Sequence, residues 1–536
     1  MLGKINLNKF LVLENSIAGA AIIIAVFSVL TKLLGLWRDR LLAANFGAGE
    51  ILDAYLVAFR LPDFVFNTLI LGAFSSAFIP VFLNAWQKDK NKAWQITNSI
   101  LNILFLIIFI LSVFIVIFAP ALMTIIAPGF SQGTLDLAIS FTRIITLSIL
   151  FFTVSNVISS LLNSFHKFLV YSLAPLMYNL GIIFGILFLT KTGLGIFGLG
   201  WGVVLGSFLH LAVQIPFLLK TGFVWQPLLS FSSGVKEIFF LMAPRFFGLV
   251  VNQLNVLITT AIASLIGVGA IVIYNFSFNL SSFAVGLVGV PLAVSVFPYL
   301  SSCYASGDHQ VFAEKLSKTM KQIFYFMLPL TVIFFLFRNE IVKIIFETGS
   351  FTKKDSLLTA QALGFFSLSI FAQSLIPLLA RAFYAQHNTK TPVFIAIISL
   401  VLNVIGCVFL GKFLGVKGLA LSFTFSNLVN FFLLYFFLGK QDFSTEGGSA
   451  SGGKFASKEI IYPVFKFLIF SFMTGALIIL LKFLSASMFD LTKLINVFFE
   501  TTFIILISLL FYYLLSLAFK LEEAKKIKEV FKYFNK

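Results

Sequence analysis

Long apolar runs broken by clusters of charge, glycine and proline fill the chain from about residue 16 to residue 519. A helix needs about 20 consecutive apolar residues to cross a bilayer. On that measure the pattern predicts fourteen helices, over 16–42, 51–85, 94–127, 134–165, 169–190, 196–220, 236–266, 269–304, 311–346, 355–385, 391–412, 416–438, 460–485 and 493–519. Several are longer than a straight crossing requires, so tilted or bent helices are expected. Gly35, Pro62, Pro80 and Pro298 are the expected hinge and kink positions, proline because it removes a helix donor and crowds the preceding turn. The first run leads straight into further spans with no small-residue cleavage site, so it reads as a span and not as a removed leader.

Composition agrees with that pattern. Of 536 residues, 59% are hydrophobic and 11% charged, against about a quarter charged in soluble domains, which excludes a soluble enzyme. The expected class is an all-α polytopic membrane protein. The net charge of +17 is mostly lysine, and the lysines crowd the loops on one side. Positive loops stay inside, so both termini are expected in the cytoplasm, and no nucleic-acid partner is needed to explain the charge. The tail 520–536 reads as a short basic amphipathic helix on anionic membrane lipid. Cys303 and Cys407 both fall in apolar stretches, which excludes a disulfide scaffold.

A repeat is visible along the chain. Gly195-Ile-Phe-Gly198 matches Gly415-Val-Lys-Gly418, Phe165 with a following Ala174-Pro-Leu matches Phe383 with Thr391-Pro-Val, and Ile79-Pro80 matches Phe297-Pro298, all 218 to 220 residues apart. A repeat of six helices keeps its orientation, which predicts two six-helix lobes in a parallel pseudo-repeat around a central cavity, an arrangement suited to alternating access. The expected divisions are an N-lobe at 1–222, a C-lobe at 223–439, a flexible Gly/Ser linker at 440–459, two extra helices at 460–519 and the basic tail at 520–536.

Ionisable groups inside the membrane are costly and mark functional sites by default. They gather at Lys32, Arg38, Asp39, Arg40, Asp53, Arg60 and Asp63, with Arg143 and Arg245 farther on. Lys32 and Asp39 share a helix face, as do Asp53 and Arg60. A group of cations with a positive excess suits a phosphate or pyrophosphate, which guanidinium can grip with two bonds. Lys32, Arg38, Asp39, Asp53, Arg60 and Arg245 are therefore the candidate substrate-binding residues. No catalytic constellation is evident and no cofactor is implied: His166, His210, His309 and His387 are scattered without metal-ligand spacing, and no P-loop is present. The glycine-rich run 193–206 opens a span, where small residues let helices pack closely.

Lys32-Leu-Leu-Gly-Leu-Trp-Arg-Asp39, Phe46-Gly-Ala-Gly49, Asp53-Ala-Tyr-Leu-Val-Ala-Phe-Arg-Leu-Pro62 and Gly72-Ala-Phe-Ser-Ser-Ala-Phe-Ile-Pro80 resemble the MurJ/MviN family, as do Ala127-Pro-Gly-Phe130 and Lys390-Thr-Pro392. The resemblance implies a lipid II flippase of the bacterial cytoplasmic membrane, a transporter and not an enzyme, with cell-wall elongation or division machinery as a further partner. It also implies that Arg38, Asp39 and Asp53 hold the family's cavity positions and that Lys32 replaces a common arginine. Phe66, Asn279 and Thr259 stand where other members carry charge. Arg60 or Arg245 would then replace part of the missing charge. Flippases for other undecaprenyl-linked oligosaccharides and drug antiporters of the same superfamily are the nearest alternatives. A polytopic glycosyltransferase is disfavoured by the short outer loops.

Overall fold

The structure is a computed structural model that describes residues 17–71, 74–440, 457–485 and 493–525. Most of the expected linker and the end of the basic tail lie outside these residues. Among the described residues the secondary structure is helical throughout, without strands, as expected where every backbone donor must be satisfied within its own segment.

Two compact units emerge, Met1–Val272 with Thr348–Phe351, and Ile273–Glu347 with Thr352–Lys536. The first contains α1 (Ile17–Phe46), α2 (Glu50–Ala58), α3 (Arg60–Phe66), α4 (Phe74–Lys88), α5 (Lys90–Ile126), α6 (Gln132–Ser164), α7 (Phe168–Leu187), α8 (Gly198–Ala212), α9 (Ile215–Leu219) and α10 (Ser233–Ser264). The expected lobe division at 222 falls earlier than the seam at Val272. α10 stays with the first unit because Val235, Ile238 and Met242 are buried in its core with Phe74, Phe78 and Phe82. α11 (Ala270–Ala305) starts in the first unit and continues into the second. The second unit adds α12 (His309–Leu336), α13 (Arg338–Phe346), α14 (Lys353–Ser367), α15 (Ile370–Ala385), α16 (Lys390–Leu414), α17 (Val416–Gly439), α18 (Ser457–Ser485) and α19 (Leu494–Ala518).

Among the described residues a helix overlaps each expected position, but three of them do not qualify as crossings by length and apolarity, so the count of fourteen spans is not reached. Ten described helices are long and apolar enough to cross a membrane, and the pair α14–α15, bent by 45°, makes an eleventh. The other three expected spans are the first, second and seventh. The first carries Lys32, Arg38, Asp39 and Arg40. In the seventh, a shorter apolar stretch, Leu249–Ser264, stands among the described residues.

The second span is broken into α2, α3, a π-helical turn over Asn67–Leu71, and α4. The break at Phe59 follows from Pro62: with no N–H at 62, the carbonyl of Ala58 loses its partner and α2 ends there. Pro80 and Pro298 instead lie inside continuous helices, and Gly35 inside the uninterrupted α1. At the α14–α15 bend the hydroxyls of Ser367 and Ser369 donate back to the carbonyls of Gly364 and Phe366, a pattern that bends helices.

Lipid is as apolar as a leucine core, so helices here associate through close packing and polar contacts. A Cβ on Gly181 would lie 2.3 Å from the Cα of Gly206, and one on Gly185 2.5 Å from the Cα of Gly202. α7 and α8 thus meet backbone to backbone, as the glycine-rich run predicts. The repeat partners Gly198 and Gly418 make matching contacts: each abuts the end of the preceding span, with an added Cβ 2.5 Å from the carbonyl carbon of Leu189 or 2.1 Å from the carbonyl oxygen of Leu410.

Candidate substrate-binding site

Arg38 and Asp39 are neighbours on α1, and neighbours on a helix do not naturally face each other. The Arg38 guanidinium nevertheless folds back to its neighbour: Nε and Nη2 donate to Oδ1 of Asp39 at 3.0 and 2.7 Å. What holds it there is a third residue. Nη1 donates to Oδ1 of Asn179 on α7 at 3.1 Å, and the amide nitrogen of Asn179 is tied to the carbonyl of Pro175 at 3.1 Å. The Asp39 side chain is 6% exposed and that of Arg38 24%, so the carboxylate is the buried anchor and the guanidinium the presented group. Guanidinium has five N–H donors. Three are used, leaving one N–H on each terminal nitrogen without a protein acceptor among the described residues. Tyr55 and Tyr178 complete the surroundings, packed edge-on against Phe141 and Phe152 with ring centroids 5.7 and 5.0 Å apart.

Lys32 lies six residues before Arg38 on α1 and is half-buried. Gly35 sits between them. A Cβ there would be 3.9 Å from Oδ1 of Asn179, so the space that admits Asn179 to this helix face begins at Gly35. Arg60, half-buried, opens α3 immediately after the break at Phe59, and Asp63 follows one turn later. Arg245 is on α10, but its side chain lies outside the described residues.

Asp53, expected to line the same cleft, faces elsewhere. It is 1% exposed, and its two oxygens accept from backbone amides, Oδ2 from Gly269 at 2.6 Å and Oδ1 from Val272 at 3.0 Å. These amides belong to the start of α11, where unpaired N–H groups and the helix dipole both favour a carboxylate. Asp53 is therefore a cap for a helix end more than two hundred residues away in sequence, with both oxygens engaged by backbone amides.

The Phe46-Gly-Ala-Gly49 turn beside it serves the same junction. Gly269 has φ +81° and an added Cβ would meet the carbonyl of Ala48 at 2.4 Å; Gly47 has φ +62° and would meet that of Ser350 at 2.6 Å. Both conditions exclude a side chain. The Ser350 amide also donates to the carbonyl of Ala44 at 2.8 Å. Three chain segments cross here within the first unit, with Gly47 and Gly269 at the crossing points.

Beyond Asn179, the sequence reading missed a buried network between α6 and α8. Ser155 lies 2.6 Å from Nδ1 of His210, and the Gln214 amide donates to Ser155 at 2.6 Å and accepts from Ser159 at 2.9 Å. The available signal in both cases was an amide side chain inside an apolar span. The ring of Phe66 packs on Phe152 with centroids 5.2 Å apart.

The family model for the lipid II flippase MurJ matches residues 42–518. The chain belongs to the MurJ family. A probable lipid II flippase MurJ of Buchnera aphidicola subsp. Schizaphis graminum is 31% identical over 425 residues, covering 78% of this chain and 83% of its own length. The lipid II flippase MurJ of Burkholderia cenocepacia is 30% identical over 435 residues, covering 79% and 84%. Among solved structures, the lipid II flippase MurJ in an inward closed conformation superposes with a TM-score of 0.76 at 25% identity, covering 93% of this chain and 98% of that one. An inward-facing multidrug resistance MATE family transporter of the MOP superfamily shares the fold, with a TM-score of 0.61 at 17% identity.

As a MurJ family member the chain is a multi-pass membrane transporter, a flippase and not an enzyme. The MurJ family match starts at residue 42, so the Arg38–Asp39–Asn179 cluster straddles its boundary, with Asn179 inside and the arginine just before it.

Proposed function

We propose that Arg38, presented by Asp39 and Asn179, receives the pyrophosphate of lipid II while this flippase carries the lipid from the inner to the outer leaflet of the bacterial cytoplasmic membrane. The observation that carries this reading is the pair of uncommitted N–H groups on a guanidinium whose other donors are fixed. Fixed donors aimed at an anion need little reorganisation when it arrives, and paired N–H groups match phosphate oxygens. Lys32, Arg60 and Arg245 add positive charge along the path, and Asp39 keeps the arginine from collapsing onto a wrong acceptor. The flippase alternates access to this site, and the polyprenyl tail stays in lipid beside α18 and α19. Binding drives such a change only to the extent that the headgroup favours one state over the other. The lysine-rich loops support a cytoplasmic location for both termini.

The test is complementation of a bacterium depleted of its own lipid II flippase, with wild type and Arg38→Ala at matched membrane levels. Wild type should restore growth and make lipid II accessible from outside the membrane, and Arg38→Ala should do neither. Wild type that inserts normally but leaves lipid II inaccessible would refute the substrate. An active Arg38→Ala would refute the site.

A further inference from the structure

Arg143 has no role in the site above, yet it lies eleven residues into α6, with the apolar faces of α5 and α6 on either side. Its surroundings are specific. Nε donates to the carbonyl of Val116 on α5 at 3.3 Å. That carbonyl is available for a chemical reason: its helical partner would be the N–H of residue 120, and residue 120 is proline. Pro120 thus creates an acceptor and Arg143 fills it, which fixes the guanidinium by one edge. No other protein acceptor or carboxylate engages it among the described residues, so four N–H donors and a full positive charge remain.

Those donors line an open groove of about 530 Å³ between α5 and α6. Apart from Thr124 on α5, whose hydroxyl donates to the carbonyl of Pro120 at 2.9 Å, its polar residues form one stripe on α6: Gln132, Asp136, Ser140 and Arg143, spaced by four, four and three residues, which is one helix face. Asp136 is exposed and is held by the Gln132 amide at 3.0 Å. Helix side chains lean toward the N-terminus, so the Arg143 guanidinium inclines toward Asp136 without pairing with it. The open groove thus has a cation at one end and a carboxylate at the other, with the Ser140 hydroxyl between them.

We propose that this groove is a binding site for a zwitterionic aminophospholipid of the phosphatidylethanolamine type. The phosphate sits on Arg143 and Ser140, and the ammonium reaches toward Asp136. An unpaired arginine at membrane depth is costly, and a lipid phosphate both neutralises it and uses the donors Val116 leaves free. Asp136 supplies the selectivity: it attracts the ammonium of an ethanolamine headgroup, which the neutral glycerol of a phosphatidylglycerol headgroup lacks. The site is separate from Arg38 and does not depend on the identity of the transported lipid.

Native mass spectrometry of the full chain, delipidated and titrated with phosphatidylethanolamine or phosphatidylglycerol, tests it. Wild type should retain one phosphatidylethanolamine that Arg143→Gln binds about tenfold more weakly, as expected for a lost charge-assisted contact. Asp136→Asn should erase the preference over phosphatidylglycerol. Pro120→Ala, which returns an amide partner to Val116 and leaves the charge in place, should weaken binding by a smaller factor; it also guards against reading misfolding of the arginine variant as lost affinity. Equal phosphatidylethanolamine retention by wild type and Arg143→Gln, or equal wild-type affinity for both lipids, overturns the proposal.

Discussion

Asp39 and Asp53 are both buried aspartates in adjacent motifs of one chain, and their surroundings give them opposite work. Asp39 accepts from a side chain, the guanidinium of Arg38, which keeps two donors for something else. Asp53 accepts from two backbone amides, Gly269 and Val272, which have nothing else to offer. A carboxylate bound to a side chain can position chemistry, because that side chain still reaches beyond it. A carboxylate bound to backbone closes a helix end and stops there. In a chain with so few intramembrane charges, the partner of each charge says more about its role than its depth does.

The largest effect expected from breaking this contrast is on folding, at Asp53. Asp53→Ala strands two buried amides, each costing about 1–3 kcal/mol. Asp53→Asn does nearly as badly, because one of its two atoms becomes a donor facing a donor. Membrane levels and the thermal midpoint in detergent should fall sharply in both variants. Asp39→Asn should leave both measures near wild type while transport drops. If Asp53→Asn accumulates and melts normally but does not transport, the division of labour drawn here is wrong.

An intermediate effect belongs to Arg38→Lys. An ammonium keeps the charge but cannot hold Asp39 and Asn179 together and still present a fork. Transport of a fluorescent lipid II analogue in proteoliposomes should fall about tenfold, the scale of a lost charge-assisted hydrogen bond, at unchanged protein level. Asn179→Leu should move transport in the same direction by releasing one edge of the guanidinium. Wild-type rates in Arg38→Lys would mean that charge alone suffices and that the fixed geometry is irrelevant.

How much was legible in the sequence follows from the range of each interaction. The break in the second span was legible at Pro62, because proline acts on a carbonyl four residues away. The charges on α1 were legible because a charge in an apolar run stands out alone. The apolar pattern also located the long helices among the described residues, though it treated three charged or interrupted ones as ordinary spans. The role of Asp53 was not legible, since its partners lie 216 and 219 residues away and are backbone atoms that carry no residue signature. Asn179 is 141 residues from Arg38 and would have been found only by asking what an isolated amide does inside the apolar α7. Phe46-Gly-Ala-Gly49 was visible as a motif, but the contacts of Gly47 with Ser350 and of Ala48 with Gly269 were not.

The smallest expected effect sharpens the comparison on the Asp39 side. Gly35 faces Asn179, and its position between Lys32 and Arg38 invites the idea of a hinge. The structure gives a different reason for a small residue. α1 runs through this point as a helix, and a Cβ would meet Oδ1 of Asn179 at 3.9 Å, an ordinary contact. Gly35→Ala should therefore leave transport within about twofold of wild type and stabilise α1 slightly, since alanine is the better helix former by up to about 1 kcal/mol. A larger residue such as Gly35→Leu would push Asn179 off the guanidinium and should reproduce the Asn179→Leu defect. If alanine alone abolishes transport while the protein melts no earlier than wild type, α1 must bend at Gly35 during the cycle. The site would then be a moving part and not the fixed cradle described for Arg38.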